Sequence, residues 1–213
     1  MRRAFDRELL QLKESLVRMA SLCTDAISFA TQAVLTGRSD FGITAIEAER
    51  ESDALERRVR GLCARILLEQ QPVASDLNMV SSALHVIGDM ERICDMGEDI
   101  ALLVQKVHTL KLPSFTTHLA AMVECIIGML TAATDSFIKH DVQLAEQVCS
   151  MDDEADRLFC QLKDDIVDAM IEGALRGDRE AAESALNSLM IAKYLERTGD
   201  HAENIAQETL RLR

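Results

Sequence analysis

The stretch Glu91-Arg92-Ile93-Cys94-Asp95-Met96-Gly97-Glu98-Asp99-Ile100-Ala101 returns 105 positions later as Glu196-Arg197-Thr198-Gly199-Asp200-His201-Ala202-Glu203-Asn204-Ile205-Ala206. In both copies Glu, Arg, Asp, Glu, Ile and Ala recur in step, and apolar residues fall at the spacing of one helix face. Such self-similarity marks an internal repeat, and its extent follows from working outward. In an earlier helical segment Phe5, Leu9, Leu12, Leu16, Met19 and Asp25 correspond to Phe115, Leu119, Met122, Ile126, Met129 and Asp135, all displaced by 110. Between these lies a third match, in which Glu49 to Asp53 and Leu55 reappear as Asp152 to Asp156 and Leu158, displaced by 103. The displacements differ only as loop lengths differ, which surface connections tolerate.

Breaks in the helical pattern fall at Gly37-Arg38-Ser39, Gln71-Pro72, Leu112-Pro113-Ser114, Lys139-His140-Asp141 and Gly177-Asp178, where glycine, proline and short polar residues stop helices. Six long segments remain, and none shows sustained strand-like alternation. The first carries Phe5, Leu9, Leu12, Leu16, Met19, Cys23, Ala26 and Ile27 as one core-facing stripe. The pattern therefore predicts an all-α chain of two tandem antiparallel three-helix bundles, residues 1–111 and 112–213, related by a pseudo-twofold axis. Helices of about 30 residues would be roughly 45 Å long.

Composition agrees with long helices packed through aliphatic side chains: two prolines, nine glycines, 3% aromatic residues and no tryptophan. A formal net charge of -13 repels nucleic-acid backbones unless a local basic patch overrides it, and the linear sequence shows no such patch. Cys23, Cys63, Cys94, Cys125, Cys149 and Cys160 form no C-x-x-C pair, so they read as reduced thiols, mostly buried, and not as a disulfide framework. Asp6, Arg7 and Glu8 follow Met1-Arg2-Arg3 before any apolar run, unlike a signal peptide. The apolar stretch from Ala120 to Ala133 is interrupted by Glu124 and is shorter than the roughly 20 residues a span requires. The expected location is the cytoplasm.

Four segments carry an acid-x-x-x-Asp element: Glu49/Asp53, Glu91/Asp95, Asp152/Asp156 and Glu196/Asp200. Each pair lies one turn apart on a single helix face. Glu56, Glu98 and Glu203 extend three of the four rows by another turn. On a helical wheel Glu91, Asp95 and Glu98 fall within about 60° of one another, away from the face of Met90, Ile93, Gly97, Ile100 and Val104. Ordinary solvated faces of an acidic protein would look the same. Like charges at i,i+4 nevertheless oppose helix formation by a few tenths of a kcal/mol per pair, and here they recur at matching places in both halves. Arg60 follows Glu56 by one turn and Lys163 follows Phe159, whereas Leu102 and Gln207 stand at those places in the third-helix rows. Those rows are expected to keep their charge uncompensated and to serve as ligand surfaces.

Carboxylate oxygens suit Mg²⁺, Mn²⁺, Ca²⁺ and iron, and two neighbouring helices could offer four to six of them, giving one site per bundle. No E-x-x-H pair is present, so the ferritin-like di-iron pattern is incomplete, and His201, about 100° from Asp200 on the wheel, reads as a surface residue. Neither a G-x-x-x-x-G-K-[ST] loop, a G-x-G-x-x-G turn nor a G-x-S-x-G elbow occurs. Catalysis thus has little support, although a carboxylate-bridged metal enzyme or an inert scaffold would share these features.

Over essentially its whole length the sequence resembles the PhoU family of phosphate-uptake regulators. The two eleven-residue motifs and the acid-x-x-x-Asp pairs of the second helices carry the likeness. The resemblance implies a non-enzymatic regulator that represses the phosphate-starvation response, acting between a high-affinity phosphate ABC transporter and a sensor histidine kinase. It also implies iron or zinc on the acidic motifs and self-association as dimers or larger assemblies; a PhoU-like partner of a low-affinity transporter is the alternative. Two positions depart from the family pattern. Phe159 stands where a third acid is usual, which would leave the second-bundle site weaker or differently coordinated. Cys94 replaces a glycine, as Gly199 shows in the other copy, either for packing or as a nearby soft ligand.

Overall fold

The computed structural model describes residues 2–104 and 113–212, which fold into α1 (Arg2–Thr36), α2 (Ser39–Arg65), α3 (Ser75–Val104), α4 (Pro113–Lys139), α5 (Val142–Arg176) and α6 (Arg179–Arg211). No strand occurs among the described residues, and a π-helical turn at Ile66–Gln70 prolongs α2. The boundary expected between residues 111 and 112 lies outside the described residues.

Helices stop where the backbone needs a left-handed residue. Gly37 takes φ +68° and its N–H donates to the Ala33 carbonyl at 2.9 Å, closing α1. Gly177, at φ +67°, closes α5 in the same way. Helices α5 and α6 begin on aspartate caps, whereas α2 starts at Arg38 without one: the Asp141 carboxylate accepts from the Leu144 N–H at 3.0 Å, and Asp178 accepts from Ala181 at 3.0 Å.

Helices α1, α2 and α3 pack pairwise into one bundle and α4, α5 and α6 into another. Matching residues do matching work: Leu12 and Met122, Leu16 and Ile126, and Met19 and Met129 are all fully buried, each removing apolar surface worth about 1.5–3 kcal/mol. The bundles join through α1 against α4 and α3 against α6, and one apolar core runs through both. Where α1 approaches α3, a Cβ on Gly97 would lie 2.8 Å from the Ala26 Cβ, so this contact requires glycine.

Helices α3 and α6 cross antiparallel, and polar pairs mark their register. His85 Nδ1 is 3.3 Å from Glu208 Oε1, and His201 Nδ1 is 2.8 Å from Asp89 Oδ1. Thr198 donates to Met96 Sδ at 3.9 Å. His201 is therefore half-buried against the other bundle, not the surface residue expected from its angle on an isolated helix. Burial would raise the Glu208 carboxyl, but Ser82, His85 and Arg211 at its oxygens bring it below the ordinary value.

Cys94 also turns inward. Its Sγ lies 3.4 Å from Cys23 Sγ on α1, and Cys23 donates to the Met90 carbonyl at 3.1 Å. Both side chains are fully buried, so Cys94 is a packing residue and the soft-ligand alternative falls. Cys63 is buried as well, Cys125 and Cys149 are half-buried, and Cys160 is exposed.

Two further expectations need correction. The apolar stretch read as too short is part of a 26-residue segment, Ser114–Lys139, which is long enough for a membrane span and holds an 18-residue window of mean hydropathy 1.5. Its Phe115, Leu119, Met122, Ile126, Met129 and Phe137 pack into the core, which accounts for part of that hydropathy, 44% of the window being buried. A basic patch also exists: Arg18 of α1 and Arg57, Arg58 and Arg65 of α2 line one groove.

Candidate metal centres

The acidic rows lie along the flanks of α2 and α3 in the first bundle and of α5 and α6 in the second. Because each helix pair is antiparallel, the carboxylates meet in reverse order. Glu49 faces Glu98, Asp53 faces Asp95 and Glu56 faces Glu91, a ladder of three rungs that shows in their mutual electrostatics. In the second bundle Asp152 faces Glu203 and Asp156 faces Asp200.

Partial burial and crowding both disfavour the charged forms. Burial raises Glu49 above the ordinary glutamate value, and Glu98, Asp53 and Asp95 add to it. Burial likewise raises Glu91, helped by Asp95, Glu56 and Asp53, and raises Asp95 against the pull of Arg92. The largest effect is at Asp152, pushed up from 3.8 to about 6 by burial and then by Glu203, Asp156, Asp200 and Asp153. Asp200 rises through burial and Glu196, opposed by Lys193.

The two ladders differ in how they are neutralised. In the first, Arg57 donates to Asp53 at 3.0 Å, Arg60 pairs with Glu56, and Arg92 lies 3.2 Å from Asp95 and 3.6 Å from Glu91. In the second, Lys193 pairs with Glu196 and sits 5.5 Å from the centre of the Phe159 ring. The third rung there is thus Phe159 against a lysine-bound Glu196. The third-helix rows are consequently not free of compensation at Glu91, Asp95 and Glu196, contrary to expectation. Neutralising cations come from positions next to or three residues before the acids, not only from the following turn.

Asp152, Asp156, Asp200 and Glu203 have no arginine or lysine at ion-pair distance among the described residues; Glu203 instead accepts from Gln207 at 3.0 Å. Cys149, three residues before Asp152, was missed by sequence reasoning. Burial raises its half-buried thiol, and the adjacent Glu203 raises it further. The i,i+3 spacing to Asp152 was the available signal.

The rungs stand as facing rows. Among the described residues no three acidic, histidine or cysteine side chains close on a common point at metal-ligand spacing. As a donor set, the partly buried, mutually repelling carboxylates of α5 and α6 nonetheless fit a hard or borderline divalent cation, which would offset the burial and the repulsion that together push Asp152 up to about 6.

The PhoU domain family model matches residues 16–104 and 119–209, one match per bundle. The chain is 31% identical over 211 residues to the phosphate-specific transport system accessory protein PhoU homolog of Deinococcus radiodurans, covering 97% of this chain and 95% of that protein. The crystal structure of PhoU from Pseudomonas aeruginosa superposes with a TM-score of 0.88 at 29% identity, covering 98% of both chains. The phosphate transport system regulatory protein PhoU from Streptococcus pneumoniae gives 0.85 at 25% identity, covering 98% of this chain and 96% of that one.

Proposed function

This chain belongs to the PhoU family, and from that premise we propose that it is a non-enzymatic accessory regulator of phosphate uptake and of phosphate-starvation signalling. It acts in the cytoplasm as a metal-binding adaptor between the ATPase of a high-affinity phosphate ABC transporter and a sensor histidine kinase, and holds the response down when phosphate is plentiful. It works as a homodimer or larger assembly, reaches the membrane only through its partners and takes no nucleic acid. Relatives named as accessory and regulatory proteins of phosphate transport support the role.

The observation that carries the metal reading is the α5–α6 ladder, where four acids face one another without a lysine or arginine partner among the described residues. Asp152, Asp156, Asp200 and Glu203 would hold the second-bundle ion, with Glu196 drawn off by Lys193. Glu49, Asp53, Glu56, Glu91, Asp95 and Glu98 would hold the first once their arginines release them. A bound cation would supply charge neutralisation and bind the two helices of a ladder together. The Cys149 thiol beside Glu203 adds a softer donor, which favours iron or zinc over magnesium or manganese.

The test is elemental analysis of protein purified without chelators, with Asp152→Asn/Asp200→Asn as the comparison. The expected result is loss of the second-bundle metal with the first retained, and failure of the variant to co-purify with the transporter ATPase or kinase from phosphate-replete cells. Unchanged metal content would refute the site, while loss of metal with partners still bound would refute the adaptor role.

A further inference from the structure

In a chain of net charge -13, the groove between α1 and α2 is lined by Arg18, Arg57, Arg58 and Arg65, with Glu14 as the one acid among them. It encloses about 630 Å³, within the usual range for a small-molecule site, and its floor is formed by Leu55, Leu62 and the bare backbone of Gly61. The second bundle offers an internal control. At the matching displacements Arg18 becomes Gly128, Arg57 becomes Cys160, Arg58 becomes Gln161, Gly61 becomes Asp164 and Arg65 becomes Asp168. The same groove is therefore basic in one copy and acidic in the other, so the arginines do not follow from the fold.

Three of the four arginines already have carboxylates of the chain nearby. Arg18 binds Glu51 at 2.8 Å, Arg57 binds Asp53 at 3.0 Å, and Arg65 is 3.9 Å from Glu8. An incoming ligand must displace single-charged oxygens, which selects for more charge and more acceptor oxygens per anchor than a carboxylate provides. A phosphate group meets that demand, with close to two charges and three oxygens that match the guanidinium fork. Arg57, Arg58 and Arg65 span about 12 Å of helix at 1.5 Å per residue, too far for one phosphate to touch them all. We infer that this groove is a binding site for a ligand with several linked phosphates, an inorganic polyphosphate or the triphosphate of a nucleotide.

The site stands apart from the acidic ladders except at Arg57, which is shared between Asp53 and the groove. The test is calorimetric titration of the full-length protein, freed of metal, with inorganic tripolyphosphate, ATP, orthophosphate and a poly-glutamate peptide. Arg58→Gln and Gly61→Asp are the test variants, and Asp164→Asn is the control. A Cβ on Gly61 meets nothing within 4 Å, and replacing a mid-helix glycine favours the helix, so Gly61→Asp leaves the fold intact. The expected result is saturable binding of tripolyphosphate, weakened at least tenfold by either test variant, unchanged by Asp164→Asn and reduced as salt rises. Orthophosphate is expected to bind far more weakly. ATP binding as tightly as tripolyphosphate identifies a nucleotide source, and much weaker ATP binding identifies an inorganic one. Absence of saturable binding, binding that survives both test variants, or poly-glutamate binding as tightly as tripolyphosphate would overturn the assignment.

Discussion

Replacing Asp152 by asparagine should make the metal-free protein more stable at neutral pH. Asp152 is pushed up from 3.8 to about 6 by burial and by the facing acids, so its ionisation is opposed in the folded state. A group raised on folding favours the native state below its unfolded value, and that benefit is lost as pH climbs through the folded value. Above about pH 6 the native chain therefore carries the full penalty, and below about pH 4 it carries none. A rise from 3.8 to about 6 corresponds nominally to about 3 kcal/mol. The carboxyl is only partly buried, and solvent screening reduces this to roughly 1 kcal/mol. For a chain of this length, 1 kcal/mol moves the melting temperature by about 2–4 °C. Thermal unfolding in EDTA should thus show Asp152→Asn melting about 2–4 °C above wild type at pH 7.5, with the difference shrinking towards zero at pH 4. A variant that melts at or below the wild-type temperature at pH 7.5, or that keeps its advantage at pH 4, would refute the electrostatic account of the ladder.

The two motif glycines, which stand at different positions of the repeat because Gly97 corresponds to Ala202 and Gly199 to Cys94, should behave differently. Gly97→Ala forces a methyl to within 2.8 Å of Ala26 and should cost about 1–3 kcal/mol in denaturant unfolding, whereas Gly199→Ala meets nothing closer than 3.7 Å and should be neutral or mildly stabilising. Glu208→Gln should cost about 1–3 kcal/mol at neutral pH by weakening the buried contacts with Ser82, His85 and Arg211. Because Glu208 is held below its ordinary value, the loss should fade as pH falls through that depressed value, and melting curves at pH 7 and pH 3 check it. Arg92→Gln removes the cation at Asp95 and Glu91 and should tighten divalent-metal binding several-fold in the first bundle alone, read by titration against the Asp152→Asn/Asp200→Asn background.

The repeat, the helix breaks and the acidic rows were all legible in the sequence, because each is a local pattern. A 3.6-residue period, a left-handed glycine such as Gly37 or Gly177 and an aspartate cap act over a few residues. What escaped depends on which helices meet. His201 lies off the acidic row on its own helix, but α3 of the other half covers that side and supplies Asp89. Arg18 and Arg58 are far apart along the chain and become neighbours only when α1 packs on α2. The compensation of Glu91, Asp95 and Glu196 was misread because only the following turn was considered, while Arg92 and Lys193 reach the acids from other positions. The facing order of the rungs became legible only when the antiparallel pairing of α2 with α3 and α5 with α6 was known.

The closed third rung, in which Phe159 stands at the place of Glu56 in the other copy and Lys193 pairs with Glu196, bears directly on occupancy. Duplication has left this chain with two unequal receptors: one short and open, the other longer but latched by its own arginines. Under the metal-binding proposal they fill in succession, the open one at lower free-ion concentration, because only the latched one must break internal pairs first. Such staggered filling spreads the answer of a single polypeptide over a wider concentration window than twin copies of either receptor would cover.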